Sequence, residues 1–213
     1  NELSMEIIDL SEDRAASIEA SVNVLQSGGV AIFPTDTVYG IGALPKFPKA
    51  IERIFDLKAR PVSMPLPLLL SGAHQMSEVS SHRSDNVHAL ANIFWPGPLT
   101  IILPNAFKEI SESVNSAGTI AVRCPNHSFV RELIAITGPV ATTSANLHGE
   151  ATPMTLTQIA ESFKDVELGI DDGECDHGTA STIIECNDTS LKIIREGPIA
   201  KEQIEEVIGS INP

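Results

Sequence analysis

Apolar residues recur along the chain at two spacings. From Ser11, a candidate N-cap, Ala15, Ile18, Val22 and Leu25 follow at helical intervals, and Gly28 with Gly29 can end that helix. "VAIF" then has the length and composition of a strand. "PKAIERIFDLK" predicts a helix with Pro48 in its first turn, an apolar face of Ile51, Ile54 and Phe55, and an end near Lys58. Farther on, "LPLLL", "LTIIL", "TIAVR", "PVATT", "STIIE" and "LKIIR" are short apolar runs that predict strands. "SDNVHALANIF" (capped by Ser84), "SFVRELIAIT", "LTQIAESF" and "KEQIEEVI" carry the helical period instead. Helix and strand alternate to the end with no internal repeat, low-complexity tract or linker. The pattern predicts an α/β fold, with a mixed sheet packed between helices, in one domain over residues 1–213.

Composition narrows the function classes. A chain of 213 residues with 42% hydrophobic and 20% charged residues can bury one substantial core. With 4% aromatic residues, broad base-stacking platforms are disfavoured. A net charge of -14 repels polyanions, so direct RNA binding requires the few cations to be focused on one surface. No stretch approaches the roughly 20 apolar residues of a membrane span. "NELSMEIIDL" lacks the basic start and apolar core of a signal peptide, so a cytoplasmic location is expected. Cys124, Cys175 and Cys186 are odd in number and lack CxxC spacing, which fits reduced thiols.

The candidate chemistry sits where apolar runs meet small polar or cationic residues: "PTDTVYG", "RCPNH", "TTSANLHG" and "REGP". Ligands gather at strand ends in open α/β sheets. Thr142, Thr143, Ser144 and Asn146 offer donors and acceptors with little bulk, although such residues also serve as ordinary caps and turns. Lys58 and Arg60 in "LKARP" are close enough to repel, a cost that an anion between them relieves; the alternative is a cation pair offsetting a helix dipole. Arg123 and Arg195 close two strands, and a guanidinium fork suits carboxylate or phosphate. "GIG" at Gly40 to Gly42 is too short for a dinucleotide fingerprint and is expected to permit close packing after the turn. No Walker motif, HExxH or paired Cys/His spacing occurs, and Asp171, Asp172, Glu174 and Asp176, followed by His177, read as an acidic loop rather than a metal site.

Taken in order, "GGVAIFPTDTVYGIG", "AIERIFDLKARP", "FWPGPLTIILP", "TIAVRCP", "GPVATTSAN", "STIIE" and "IIREG" resemble the YrdC-like threonylcarbamoyl-adenylate synthase family over about Ile18 to Gly197. The resemblance implies a twisted, mixed, open sheet with flanking helices and a concave ligand-binding face. It implies synthesis of threonylcarbamoyl-AMP from L-threonine, bicarbonate or CO2 and ATP with release of pyrophosphate. A separate transferase complex would then use the product to modify the adenosine beside a tRNA anticodon. By the same resemblance Thr35, Arg123, Thr142 and Ser181 contact threonine. Lys58, Arg60, Thr119, Ser144, Asn146 and Arg195 contact nucleotide, and Lys58, Arg60, Ser144 and Asn146 carry the catalysis. Thr35, Asp36 and Thr37 would form one wall of the amino-acid site, while the single tyrosine, Tyr39, has packing as its other reading. Mg2+ is expected with the ATP, without a dedicated protein site.

The chain departs from the family pattern at Met64, where lysine is frequent, and at Ala180, where proline is frequent. Its length fits the short, single-domain type. The acidic balance sets it apart from relatives with a basic face, so direct tRNA contact is not expected. The rival functions are a non-catalytic RNA-binding or regulatory module of this fold, and a carbamoyl-transfer domain like that of hydrogenase-maturation proteins.

Overall fold

The computed structural model describes residues 4–175, 179–187 and 190–209. Among them the order begins β1 (Glu6–Asp9), α1 (Arg14–Gln26), β2 (Ala31–Phe33), β3 (Gly40–Ala43), α2 (Pro48–Lys58) and β4 (Leu68–Leu69). It continues with α3 (Met76–Val79), α4 (Asp85–Phe94), β5 (Leu99–Leu103), α5 (Lys108–Ser113), β6 (Ile120–Arg123), α6 (Ser128–Thr137) and β7 (Val140–Ser144). It ends with α7 (Leu156–Ser162), β8 (Leu168–Asp171), β9 (Thr182–Cys186), β10 (Leu191–Arg195) and α8 (Lys201–Ile208). No helix of the described residues is long and apolar enough to cross a membrane.

The strands form one open, mixed sheet in the order β1-β8-β2-β3-β7-β4-β6-β5-β9-β10. β8 runs parallel to β1 and β2, β4 to β6, and β5 to β9, while the remaining pairs are antiparallel. This is the mixed α/β sheet with flanking helices that the alternation of elements predicts.

Local chemistry explains the element ends. α2 begins on Pro48, whose missing N–H costs nothing in a first turn. α4 is capped by Ser84, which accepts from the Val87 amide. The cap of α1 differs from expectation: Asp13 accepts from the Ala16 amide at 2.8 Å, while Ser11 bonds back to Asp9 in a turn. The buried stripe of α1 also differs, running through Ser17, Ser21 and Leu25. Both serines can be buried because each hydroxyl donates to the carbonyl four residues earlier. Gly28, at φ +79, ends that helix as anticipated.

Pattern alone did not reveal β1, β3 or β8, and "LPLLL" shrinks to the two residues of β4, because Pro67 has no N–H to offer a ladder. Gly40 and Gly42 lie in a central strand, β3, that begins directly after the turn following β2. A Cβ at Gly40 would meet Thr142 Cγ2 at 2.7 Å, and one at Gly42 would meet the Phe33 ring at 3.0 Å. The close packing expected of the "GIG" glycines is present, but across the sheet.

The period-2 alternation of the strands divides the core. Ile32, Ile41, Leu68, Ile101, Val122, Ala141 and Ile184 pack on one face against residues of α2, α4, α7 and α8. Ala31, Phe33, Leu69, Val140, Leu168 and Ile170 cluster on the opposite side with Leu25 of α1 and Phe129, Val130, Leu133 and Ile134 of α6. α1 and α6 pack on each other, and α1 rests on β1, β2 and β8, so they cover only one end of that second face.

Candidate active site

The uncovered part of the second face is the floor of a cavity of about 640 Å3. Register shows that the floor is continuous. Gly40 lies opposite Ser144 and Gly42 opposite Thr142, Leu69 beside Arg123, Ile102 opposite Ala121, and Thr100 beside Ile183. Directly paired residues point to the same side of a sheet, so these side chains converge although the chain supplies them from six strands. The site therefore spreads across a sheet face, not along the strand ends that the sequence suggested.

Thr35, Arg60, Thr119, Arg123, Thr142, Ser144, Ser181 and Arg195 all line this cavity. Lys58 and Asn146 do not line it; they lie behind its wall. The division between Lys58 and Arg60 follows from the end of α2. Ala59 adopts the left-handed conformation at φ 50, with the Arg60 amide bonded to Phe55 O and the Ala59 amide to Asp56 O, a Schellman closure. Lys58 stays on the buried side of the last helical turn and Arg60 emerges beside the cavity.

Lys58 is 1% exposed. Its ammonium donates to Ser144 O, to Asn146 O at 2.8 Å and to Asn146 Oδ1 at 3.0 Å. Asn146 Oδ1 also accepts from the Ser144 hydroxyl at 2.5 Å, and Asn146 Nδ2 donates to Leu147 O and Glu150 O. Burial, with a smaller push from Arg60, pulls the Lys58 ammonium down to about 8. The pair braces Ser144, the residue that reaches the cavity.

Arg60 donates from Nε to Met64 O and from Nη2 to Pro65 O, folding its own loop over the cavity edge, and burial lowers its pKa. Met64 lines the cavity as an apolar side chain. Arg195 donates from Nε and Nη2 to Ser181 O, and the Ser181 hydroxyl lies 2.7 Å from that of Thr100. Gly197 has to be glycine here: a Cβ would come within 2.4 Å of the Thr182 amide.

Thr35 closes the turn after β2. Its hydroxyl donates to Val38 O at 2.6 Å and accepts from the amides of Thr37 and Val38. Asp36, the next residue, accepts from Arg123 Nη1 at 2.8 and 3.1 Å. Tyr39 is fully buried, with its hydroxyl between Gly173 O and the Asp172 amide, so packing is its role. Asp171 accepts from the Gly173 amide and Asp172 pairs with His127 at 3.0 Å; Asp176 and His177 lie outside the described residues. Cys124 lies next to this turn, and burial pushes its thiol up to about 11.

Three hydroxyls of the lining are not among the site residues that the sequence predicts: Thr100, Ser116 and Thr152. Only Thr100 left a trace, as the polar member of "LTIIL". Ser116 sits in a turn whose neighbours Asn115 and Ala117 have positive φ. Among the described residues no Asp or Glu lines the cavity, and no group of three His, Cys, Asp or Glu side chains is placed to hold a metal.

Known proteins share this fold and much of this sequence. The Sua5/YciO/YrdC family model, described as "Telomere recombination", matches residues 23–197. Threonylcarbamoyl-AMP synthase of Pyrococcus abyssi is 36% identical over 198 residues, covering 91% of this chain and 58% of the relative. The Bacillus subtilis synthase is 36% identical, with 92% and 57% covered. The chain thus spans less than two thirds of the length of these two relatives. A putative threonylcarbamoyl-AMP synthase of Mycobacterium tuberculosis is 31% identical over 199 residues, covering 93% of this chain and 92% of its own. Among solved structures, P. abyssi Sua5 complexed with L-threonine superposes with a TM-score of 0.88 at 33% identity, over 97% of this chain and 62% of that one. E. coli YciO superposes with a TM-score of 0.80 at 25% identity, over 94% and 98%. With the family model matched over residues 23–197 and these relatives 31–36% identical over more than nine tenths of the chain, the chain belongs to the Sua5/YciO/YrdC family.

Proposed function

We propose that the cavity makes threonylcarbamoyl-AMP from L-threonine, bicarbonate or CO2 and ATP, releasing pyrophosphate, and that the product feeds a transferase complex that modifies tRNA beside the anticodon. The observation that carries this reading is the cavity's charge. A chain of net charge -14 gathers Arg60, Arg123 and Arg195 around one hollow that, among the described residues, no carboxylate lines. Such a hollow suits two anionic groups held side by side, an amino acid's carboxylate and a triphosphate.

In this reading Arg123 receives the threonine carboxylate, with Thr35, Thr142 and Ser181 shaping the site around it. The free amine attacks CO2 and loses a proton, giving a carbamate. A carbamate oxygen attacks the α-phosphorus of ATP, the bond to the β-phosphate oxygen breaks, and pyrophosphate leaves with that electron pair. No covalent enzyme intermediate is needed. The protein holds the reactants in line and offsets their charge. Arg60 and Arg195 serve the phosphates, with Thr119 and Ser144 as hydroxyl partners, while Lys58 and Asn146 set the position of Ser144. Mg2+ bound with the nucleotide would neutralise phosphate charge and would be held through phosphate and water oxygens, since the lining by the described residues offers hydroxyls and guanidinium groups rather than carboxylates.

The test is ATP-dependent pyrophosphate release, with threonine and bicarbonate omitted in turn. Release is expected to need both. Release that persists without threonine would sink the assignment.

A further inference from the structure

Asp36 is the only carboxylate, among the described residues, that pairs with an arginine of the cavity. Its position is at first sight unfavourable. A negative charge 2.8 Å from Arg123 weakens the pull of that arginine on any anionic ligand. Both groups are largely buried, with side-chain exposures of 10% for Arg123 and 15% for Asp36, so solvent does little to screen the effect.

The hydrogen bonds show what the carboxylate does instead. Both its oxygens accept from one nitrogen of Arg123, Nη1, and Oδ2 also accepts from the Asn126 amide at 3.0 Å. Asp36 itself cannot swing, because the Thr35 hydroxyl locks the turn on one side and the Tyr39 hydroxyl anchors it to residues 171–173 on the other. Nε and Nη2 of Arg123 make no hydrogen bond to the described protein. These two nitrogens form the edge of a guanidinium that matches a carboxylate with two parallel hydrogen bonds.

Resting on the reading that Arg123 receives the substrate carboxylate, we propose that Asp36 is a positioning residue. It holds Nη1 of Arg123 so that the Nε/Nη2 edge meets the amino acid's carboxylate already oriented, and sacrifices part of the electrostatic attraction to do so. Charge and position then make opposite forecasts for the same substitutions. Asp36→Asn removes the opposing charge and keeps the size, but the Asn amide nitrogen cannot accept the bonds that the second oxygen accepts. Asp36→Glu keeps the charge and moves the carboxylate by one methylene.

The experiment is calorimetric titration of the full chain with L-threonine and with threonine methyl ester, which lacks the carboxylate. Both variants are expected to bind threonine about ten-fold more weakly while binding the ester within about two-fold of the unaltered chain. Unchanged or tighter threonine binding in Asp36→Asn, or unchanged binding in Asp36→Glu, overturns the proposal. An equal loss of both ligands overturns it too, since that is the mark of a collapsed turn. Thermal melting checks folding, and Asp36→Glu, which retains the ion pair's charges, carries the test if Asp36→Asn does not fold. If the unaltered chain binds threonine and its ester equally, the underlying reading of Arg123 falls first.

Discussion

The two ends of one sheet face have the same backbone geometry and opposite fates. Under α1 and α6 the inward positions are Ala31, Phe33, Leu168 and Ile170, and helices cover them. Over β7, β4, β6, β5 and β9 the equivalent positions include Thr142, Ser144, Arg123, Thr100 and Ser181 together with apolar residues, and a cavity lies above them. Desolvation decides which part of the face stays open. A helix laid over those hydroxyls and guanidinium groups would have to satisfy each of them or pay for their desolvation. Water or a polar ligand satisfies them without that cost.

The comparison can be broken at its covered end. Leu133, on the inner side of α6, is fully buried. Leu133→Ala is expected to cost about 2–5 kcal/mol of stability through lost burial and the remaining void. Denaturant melts should show that loss, while turnover per folded molecule stays near normal. A large loss of turnover in fully folded Leu133→Ala would mean that the two ends are coupled.

At the open end the signature reverses. Arg60→Ala is expected to lower pyrophosphate formation by about 100-fold, close to 3 kcal/mol of transition-state stabilisation, with little change in melting. Near-normal turnover would remove Arg60 from the mechanism. Lys58 stands between the two classes, since it is buried like the core and serves the cavity. Lys58→Met leaves Ser144 O, Asn146 O and Asn146 Oδ1 without their ammonium donor, so about 1–3 kcal/mol of stability should be lost together with most of the activity. A variant as stable as the original would show that those carbonyls find other partners.

The smallest effect is a pH limb. Lys58 ionises at about 8 in the folded chain against its ordinary 10.5, so deprotonation comes first in the folded state. Turnover is expected to fall as pH rises through about 8, as the brace on Ser144 loses its charge. Stability should not fall with it. Between about 8 and 10.5 the unfolded chain holds the extra proton, so this group's contribution to stability rises with pH over that window. A pH profile flat through this range excludes the ammonium from the catalytic arrangement.

Much of this was legible in the chain. α2 occupies the residues its pattern predicts, because Pro48 and the face of Ile51, Ile54 and Phe55 are local signals. α4 likewise follows from Ser84 and an uninterrupted period. β3 was not legible, since "GIGA" has no strand propensity of its own and becomes a strand only where Phe33 and Thr142 close over its glycines. At the site, hydroxyls and arginines could be recognised by type, but Lys58 and Arg60 looked equivalent. A single left-handed residue, Ala59, separates them, and that conformation is more often the mark of a glycine.

By itself, then, the sequence determined the order of most elements, the mixed α/β class and the residue types able to meet an amino acid and a triphosphate, because periodicity and side-chain chemistry act over a few neighbours. Only the tertiary structure decided which of those residues share a surface. Strand register brings Thr100, Arg123, Thr142 and Ser144 to one face and leaves it without a helix. Register and helix coverage depend on partners far apart in the chain, and no local pattern carries that information.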